Sequence, residues 1–503
     1  MNEETQLPPM PNGVVRVYPA SGATAMLPLT PGNNFTPTIL FCGGSDMSDY
    51  SYGNYSFPFI DTWNYPASND CHRITPEPQD GSSPVFVADD EMPEGRTMGQ
   101  FIILPTGKLL VVNGGLNGTA GYSQTTLTTT SFAAMPFGES LASGPVLIPA
   151  IYDPDAPQGS RWSNAGLSAS NIPRLYHSSA ILLPDASVLV AGSNPNIDVN
   201  LTTVYPTTYM AEIFYPPYFN TTPRPAPVGM PQTLSYGGDY FDILVPSSSY
   251  TGSAIDAADS ASVVIVRPGF TTHAMNMGQR HMQLNSTYSV NSNGSLTLHV
   301  SQPPPNPNLF QPGPALMFVN ILGVPSKGSY LLVGNGQIGP QPTQVVAPLP
   351  GNVQMPSASS SSSSSPSGTA QPSSNNNRAN AIGIIIGVGI GCLALLAMVG
   401  VILGLIHNRK GRQSKEKSKW RGGQPISRPR KRRLRNGDDR VTHRVTRDGS
   451  ETFVPLQHPE DYTQAWTTPY TEPEAQRISV ESFRQGFQVP ENHLSGTYIH
   501  EDT

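Results

Sequence analysis

Tyr176 and His177 stand side by side in the run Ile172-Pro173-Arg174-Leu175-Tyr176-His177-Ser178-Ser179, and His273 lies far downstream in Thr271-Thr272-His273-Ala274-Met275. One phenol and two imidazoles make a mixed oxygen and nitrogen donor set, which suits Cu(II) and its preference for tetragonal arrangements of such ligands. Neighbouring residues ordinarily send their side chains apart, so an adjacent pair can share one metal only where the backbone is irregular, as in a loop. Pro173, with its fixed φ and missing N–H, fits a loop just upstream. A Tyr-His pair is more often packing or surface than a ligand, so the donor set needs support from the rest of the chain.

The elements that would carry these residues read as β structure. The chain has 503 residues, enough for two or three domains, with 52 prolines, 47 glycines and only 13% charged residues, a turn-rich composition. An apolar strand, a tight turn, a second apolar strand and terminal glycines recur in Phe101–Gly115 and Ala180–Gly192, with a looser copy ending at Ile39–Gly44. That plan is a propeller blade of the kelch sort with long insertions, and three to four blades can be drawn up to Pro217. From about Arg224 the pattern becomes short strands between Gly, Pro and Asn-Gly turns, which suggests an immunoglobulin-like sandwich. His273 follows one of these strands through a Pro-Gly turn, at a loop tip.

After Pro348 a Ser-rich stalk leads into Ala381–Ile406, 26 uncharged residues and long enough to cross a bilayer. Lys and Arg crowd the far side of this span, from Arg409 to Arg421 and again from Arg428 to Arg435, which places the carboxyl tail in the cytosol. The net charge of −6 conceals this segregation and indicates no nucleic-acid partner; basic runs beside a span suit lipid headgroups instead. Sequons at Asn34, Asn54, Asn117, Asn200, Asn220, Asn285 and Asn293 all precede the span, as an outward-facing amino-terminal part requires. Of three cysteines, Cys392 is inside the apolar run, leaving Cys42 and Cys71 as either one disulfide or two buried thiols.

The chain resembles the copper radical oxidases of the glyoxal oxidase and galactose oxidase type from about Val14 to Gly334. The resemblance is carried by Leu40-Phe41-Cys42-Gly43-Gly44-Ser45, Asp70-Cys71-His72-Arg73-Ile74, Leu110-Val111-Val112-Asn113-Gly114-Gly115, Arg161-Trp162-Ser163-Asn164, Arg174-Leu175-Tyr176-His177-Ser178 and Phe270-Thr271-Thr272-His273-Ala274. It implies an all-β fold: a partial kelch-type propeller over 14–223 after a structureless start at 1–13, and an immunoglobulin-like sandwich over 224–346. A stalk (347–380), one transmembrane helix (381–406) and a basic then disordered cytoplasmic tail (407–503) follow. It implies Cu(II) held by Tyr176, His177 and His273, with Tyr176 accepting the substrate's proton. His72 and His281 have no role in the resemblance and read as surface or structural, and Arg96 is left outside the site.

By that resemblance the activity is oxidation of small aldehydes or primary alcohols by O₂, with release of hydrogen peroxide, at the plasma membrane. Such enzymes carry a fourth ligand, a tyrosine cross-linked to a cysteine, and no residue here matches either member. Met1–Asn12 is polar and Pro-rich with no apolar core, so it is no secretory signal. The expectation is a chain that begins late relative to its family. The other reading is a catalytically incomplete surface module that binds a cell-wall glycan or another partner.

Overall fold

The computed structural model describes residues 6–47, 60–337, 339–354 and 453–455. They form strands and turns with a single α-helix among them, Ala254–Asp259, as the all-β reading expects. No described helix is long and apolar enough to cross a membrane. The apolar span 381–406, most of the stalk, most of the basic tail and the sequon at Asn54 lie outside the described residues.

Strands β1 (Ala23–Met26), β2 (Ile39–Cys42), β3 (Cys71–Ile74) and β4 (Phe86–Ala88) build a first antiparallel sheet in that order. A disulfide joins Cys42 to Cys71, which face each other across β2 and β3, so neither is a free thiol. The second sheet contains β5 (Gln100–Ile103) and β6 (Leu109–Val112), a ribbon β7 (Gly115–Tyr122) with β8 (Pro136–Pro145) leaves it, and β9 (Ala150–Tyr152) and β10 (Trp162–Ser163) complete it. A third sheet starts with β11 (Ser179–Leu182), β12 (Val188–Ser193) and β13 (Thr208–Phe214). The strand–turn–strand repeats of the sequence are thus the inner hairpins β5–β6 and β11–β12.

Alternation along a strand explains why the middle sheet is apolar throughout. Phe101, Ile103, Leu109 and Val111 pack with Leu40, Cys71 and others of the first sheet, whereas Ile102, Leu110 and Val112 pack with Leu182, Val188 and Val190 of the third. Each such side chain contributes roughly 1.5–3 kcal/mol on burial. A buried arginine locks each sheet: Arg16, Arg96 and Arg174 donate to the carbonyls of Gly43 (2.6 Å), Asn113 (2.7 Å) and Gly192 (2.8 Å), at or just after the end of the second strand. Arg16 and Arg174 are neutralised by Asp70 and Glu212. Burial lowers the pKa of Arg96 to about 10, which leaves it charged at neutral pH. Arg96 is therefore a structural element, as its exclusion from the site anticipates.

The second region holds β14 (Thr233–Leu234), β15 (Tyr236–Gly238), β16 (Phe241–Val245), β17 (Ser262–Arg267), β18 (Phe270–Thr272), β19 (Met275–Met277), β20 (Arg280–Leu284), β21 (Ser286–Val290), β22 (Leu296–Val300), β23 (Gly313–Ile321), β24 (Val324–Pro325), β25 (Ser329–Val333) and β26 (Thr343–Val346). A sheet ordered β14-β25-β23-β17-β20 faces a sheet ordered β16-β22-β21 across one apolar core. The first of these is buried on both faces: Val263, Ile265, Met317 and Val319 enter that core, while Val264, Val266, Leu316 and Phe318 pack on the second and third sheets. His281 on β20 is 3% exposed and contacts the Pro105 carbonyl at 3.2 Å. His72 is also buried, 2.9 Å from Asp70. Both histidines are structural, and the surface alternative does not hold.

β27 (Phe453–Pro455) pairs antiparallel with β13 as the fourth strand of the third sheet. These three residues fall in the stretch expected to be structureless tail. Their ordering corrects that expectation, and its reason is the edge of β13, whose unpaired backbone groups take a partner strand.

Two predictions concern this framework. Arg174→Met strands Glu212 in the interior and costs about 3–5 kcal/mol; chemical denaturation reads it, and adding Glu212→Gln restores part of the loss. An Arg174→Met chain as stable as the parent would remove the ion pair from the account. Burial depresses the His281 pKa to about 4 from 6.5, so the unfolded chain binds more protons between those values and stability rises with pH there. Full stability is expected above about pH 6.5, with a loss approaching about 3 kcal/mol as the pH falls toward 4; His281→Gln should flatten that slope in denaturation curves at pH 7 and 4.5.

Candidate metal centre

Tyr176 and His177 occupy the turn that enters β11. The Leu175 N–H donates to Ser193 Oγ at 3.0 Å, and the Asn194 N–H donates to the Tyr176 carbonyl at 2.8 Å, so the turn is held against the end of β12. His177 has φ 63°, the left-handed region that a β-carbon disfavours. This one residue answers the objection that neighbours diverge. Its reversed backbone brings both rings to the same side, with centroids 3.8 Å apart and planes 26° apart. Tyr176 is buried beside Met98, Ala120, Ala142 and Leu175, while His177 stays exposed.

His273 arrives from the other region. Between β17 and β20 the chain makes the hairpin β18–β19, in which Thr272 pairs with Met275 and His273-Ala274 form the two-residue loop. Both loop residues have positive φ, 48° and 65°, as a type I′ turn requires. Such turns ordinarily use Asn-Gly. A His-Ala turn stores strain of order 1–3 kcal/mol per residue, which points to a functional demand on the position. Thr271 Oγ1 donates to Asn276 Oδ1 at 2.6 Å, and Asn276 and Gln279 both donate to the Phe101 carbonyl of β5, at 2.9 and 3.0 Å.

The two segments converge. The His273 ring lies 6.0 Å from that of Tyr176 and 6.4 Å from that of His177. His177 Nδ1 lies 3.1 Å from the Asn194 carbonyl, an arrangement that fixes its proton there and presents Nε2 as the ligating nitrogen. His273 Nδ1 lies 2.9 Å from Thr272 Oγ1 and likewise leaves Nε2 as the outer nitrogen. Burial, with His273 as a smaller contributor, lowers the His177 pKa against the opposing Asn194 hydrogen bond, so the imidazole is held in its neutral, ligating form. Burial pushes the Tyr176 phenol up, helped by a hydrogen bond to Tyr18 and by Tyr122.

Tyr18 and Tyr122 are absent from the sequence reading. Tyr18 stands edge-on to His273 at 5.4 Å and 6.2 Å from Tyr176; Tyr122 lies 6.2 Å from Tyr176 and 6.4 Å from His177. One signal for Tyr18 exists in the chain: Arg16-Val17-Tyr18 repeats Arg174-Leu175-Tyr176, with a sheet-locking arginine first in each. Among the described residues no three His, Cys, Asp or Glu gather as a metal site. A metal here draws nitrogen from His177 and His273 and oxygen from phenols, a set that fits Cu(II). The expected sequons at Asn34, Asn220, Asn285 and Asn293 are exposed, and Asn117 and Asn200 are half-buried.

Comparison with known proteins bears on this arrangement. Residues 4–218 match the family model for the glyoxal oxidase N-terminus, and residues 224–333 match the galactose oxidase-like early set domain. The chain is 31% identical over 337 residues to the aldehyde oxidase GLOX1 of Arabidopsis thaliana, covering 65% of this chain and 49% of that protein. It is 32% identical over 324 residues to the aldehyde oxidase GLOX of Vitis pseudoreticulata, covering 64% and 54%. A galactose oxidase of Gibberella zeae is 28% identical over 275 residues, 53% of this chain and 34% of that one. The chain thus spans about half the length of the curated aldehyde oxidases it matches. With two adjoining family models matched in order, the chain belongs to the copper radical oxidases of the glyoxal oxidase and galactose oxidase type.

Proposed function

We propose that this protein is a copper-dependent oxidase of the glyoxal oxidase kind, acting on small aldehydes or primary alcohols. An aldehyde, water and O₂ would give the carboxylic acid and hydrogen peroxide; a primary alcohol and O₂ would give the aldehyde and hydrogen peroxide. The observation that carries the proposal is the meeting of Tyr176, His177 and His273 from two separate sheet systems, with both histidines at left-handed φ. On this reading the three sheets are blades of a kelch-type propeller, and the second region is the immunoglobulin-like sandwich that delivers His273.

His177 and His273 would hold Cu(II) through Nε2. The bound ion supplies a one-electron acceptor beside the substrate carbon. Tyr176 is a weak acid in its buried setting, so its phenolate is a strong base and suits the task of taking the substrate's hydroxyl proton. The Asn194 carbonyl keeps the His177 ring in the required tautomer and orientation.

The proposed site also stands at the cell surface, anchored by 381–406 with the basic tail in the cytosol. The pairing of Phe453–Pro455 with β13 puts that segment on the same side as the sheets, and the two placements exclude each other. Charge asymmetry about the span predicts that a carboxyl-terminal tag resists external protease on intact cells. Digestion of the tag would favour the sheet pairing and end the cytosolic reading.

For the chemistry, the full chain titrated with Cu(II) is expected to bind it, with His177→Ala and His273→Ala each weakening affinity at least about 100-fold. Peroxide release with small aldehydes, lost in Tyr176→Phe, supports the oxidase. Copper uptake without peroxide release would leave a metal-binding surface module in its place.

A further inference from the structure

We infer that Tyr18 is a further oxygen donor at this centre, so that two phenols and two imidazoles face one metal. The inference rests on the copper reading above. Its starting point is geometric: the Tyr18 ring is edge-on to His273 at 5.4 Å, and its hydroxyl is hydrogen-bonded to that of Tyr176. Two oxygens bound at right angles to one ion, each about 2.0–2.2 Å away, lie roughly 3 Å apart. Hydrogen-bonding distance between two phenols is therefore the spacing that adjacent ligands of one ion would keep.

The Tyr18 segment is built rather than loose. Two residues upstream, Arg16 is buried against the Gly43 carbonyl and Asp70. Downstream, the Pro19 carbonyl accepts from Ala120 N at 2.8 Å, the Ala20 carbonyl from Thr97 Oγ1 at 2.8 Å, and the Ser21 carbonyl from Met98 N at 2.7 Å. Backbone on both sides is clamped by the second sheet and its ribbon, yet the Tyr18 side chain is 43% exposed. An aromatic ring placed for packing is ordinarily covered. Here a rigid backbone presents a phenol toward the imidazole that the opposite region delivers. Charge agrees as well, since two phenolates and two neutral imidazoles balance a divalent ion.

Equilibrium titration of the full chain with Cu(II), followed by visible absorption from phenolate-to-metal charge transfer, tests the assignment. Tyr18→Phe is expected to weaken affinity at least about tenfold and to remove about half of the charge-transfer intensity, one of two phenolate donors being gone. Circular dichroism unchanged from the parent marks the variant as folded. Unaltered affinity and spectrum in Tyr18→Phe, alongside metal loss in His177→Ala and His273→Ala, would overturn the Tyr18 inference and leave the centre standing. Reduced affinity with an unaltered spectrum would also overturn it, since Tyr18 would then act only through its hydrogen bond to Tyr176. A parent chain that takes up no Cu(II) would end both readings together.

Discussion

The carbonyl of Phe101 accepts hydrogen bonds from Asn276 and Gln279, and the donor set depends on that shared acceptor. His273 belongs to a region whose own core lies elsewhere, across β16 and β22. Only a hairpin laid along the inner strands of the neighbouring sheets brings its imidazole to Tyr176 and His177. Gln279 adds a second tie, because its Oε1 accepts from the Ile103 N–H at 2.8 Å. With both amide groups engaged by one strand, the hairpin cannot slide along β5 without breaking several buried bonds at once.

Rigidity on the other side of the site comes from guanidinium groups. Arg16 and Arg174 each anchor a glycine carbonyl, and in each case a tyrosine two residues later reaches the site. Successive sheets are stitched by backbone as well: Gly44 N–H donates to the Arg96 carbonyl at 3.0 Å, and Gly114 N–H to the Arg174 carbonyl at 2.9 Å. At Gly44 and Gly114 an added β-carbon would sit 2.2 Å from a backbone carbonyl, so close approach demands glycine. This gives a physical meaning to the glycines that punctuate the repeats.

Much of this was legible in the residues. The apolar hairpins announce themselves through alternation and turn chemistry, and they appear as β5–β6 and β11–β12. The three donors were visible through their motifs, although adjacency alone argued against Tyr176 and His177 sharing a target. What resolved the conflict was a backbone angle at His177, which no propensity scale would assign to histidine. Tyr18 and Tyr122 escaped because a lone tyrosine in a Pro- or Gly-rich loop has no period to betray it. The strand at Phe453–Pro455 escaped for a different reason, since pairing partners so far apart along a chain leave no local trace.

His177 and His273 also set a limit on how stable the protein can become. Glycine at either position would adopt the same left-handed geometry without a β-carbon to crowd it, and asparagine would tolerate it better than histidine does. Random mutagenesis screened for heat resistance alone would therefore be drawn to these two codons and would erase the ligands as it improved the fold. Imidazoles persisting on unfavourable backbone mark sites where selection for chemistry has opposed selection for durability.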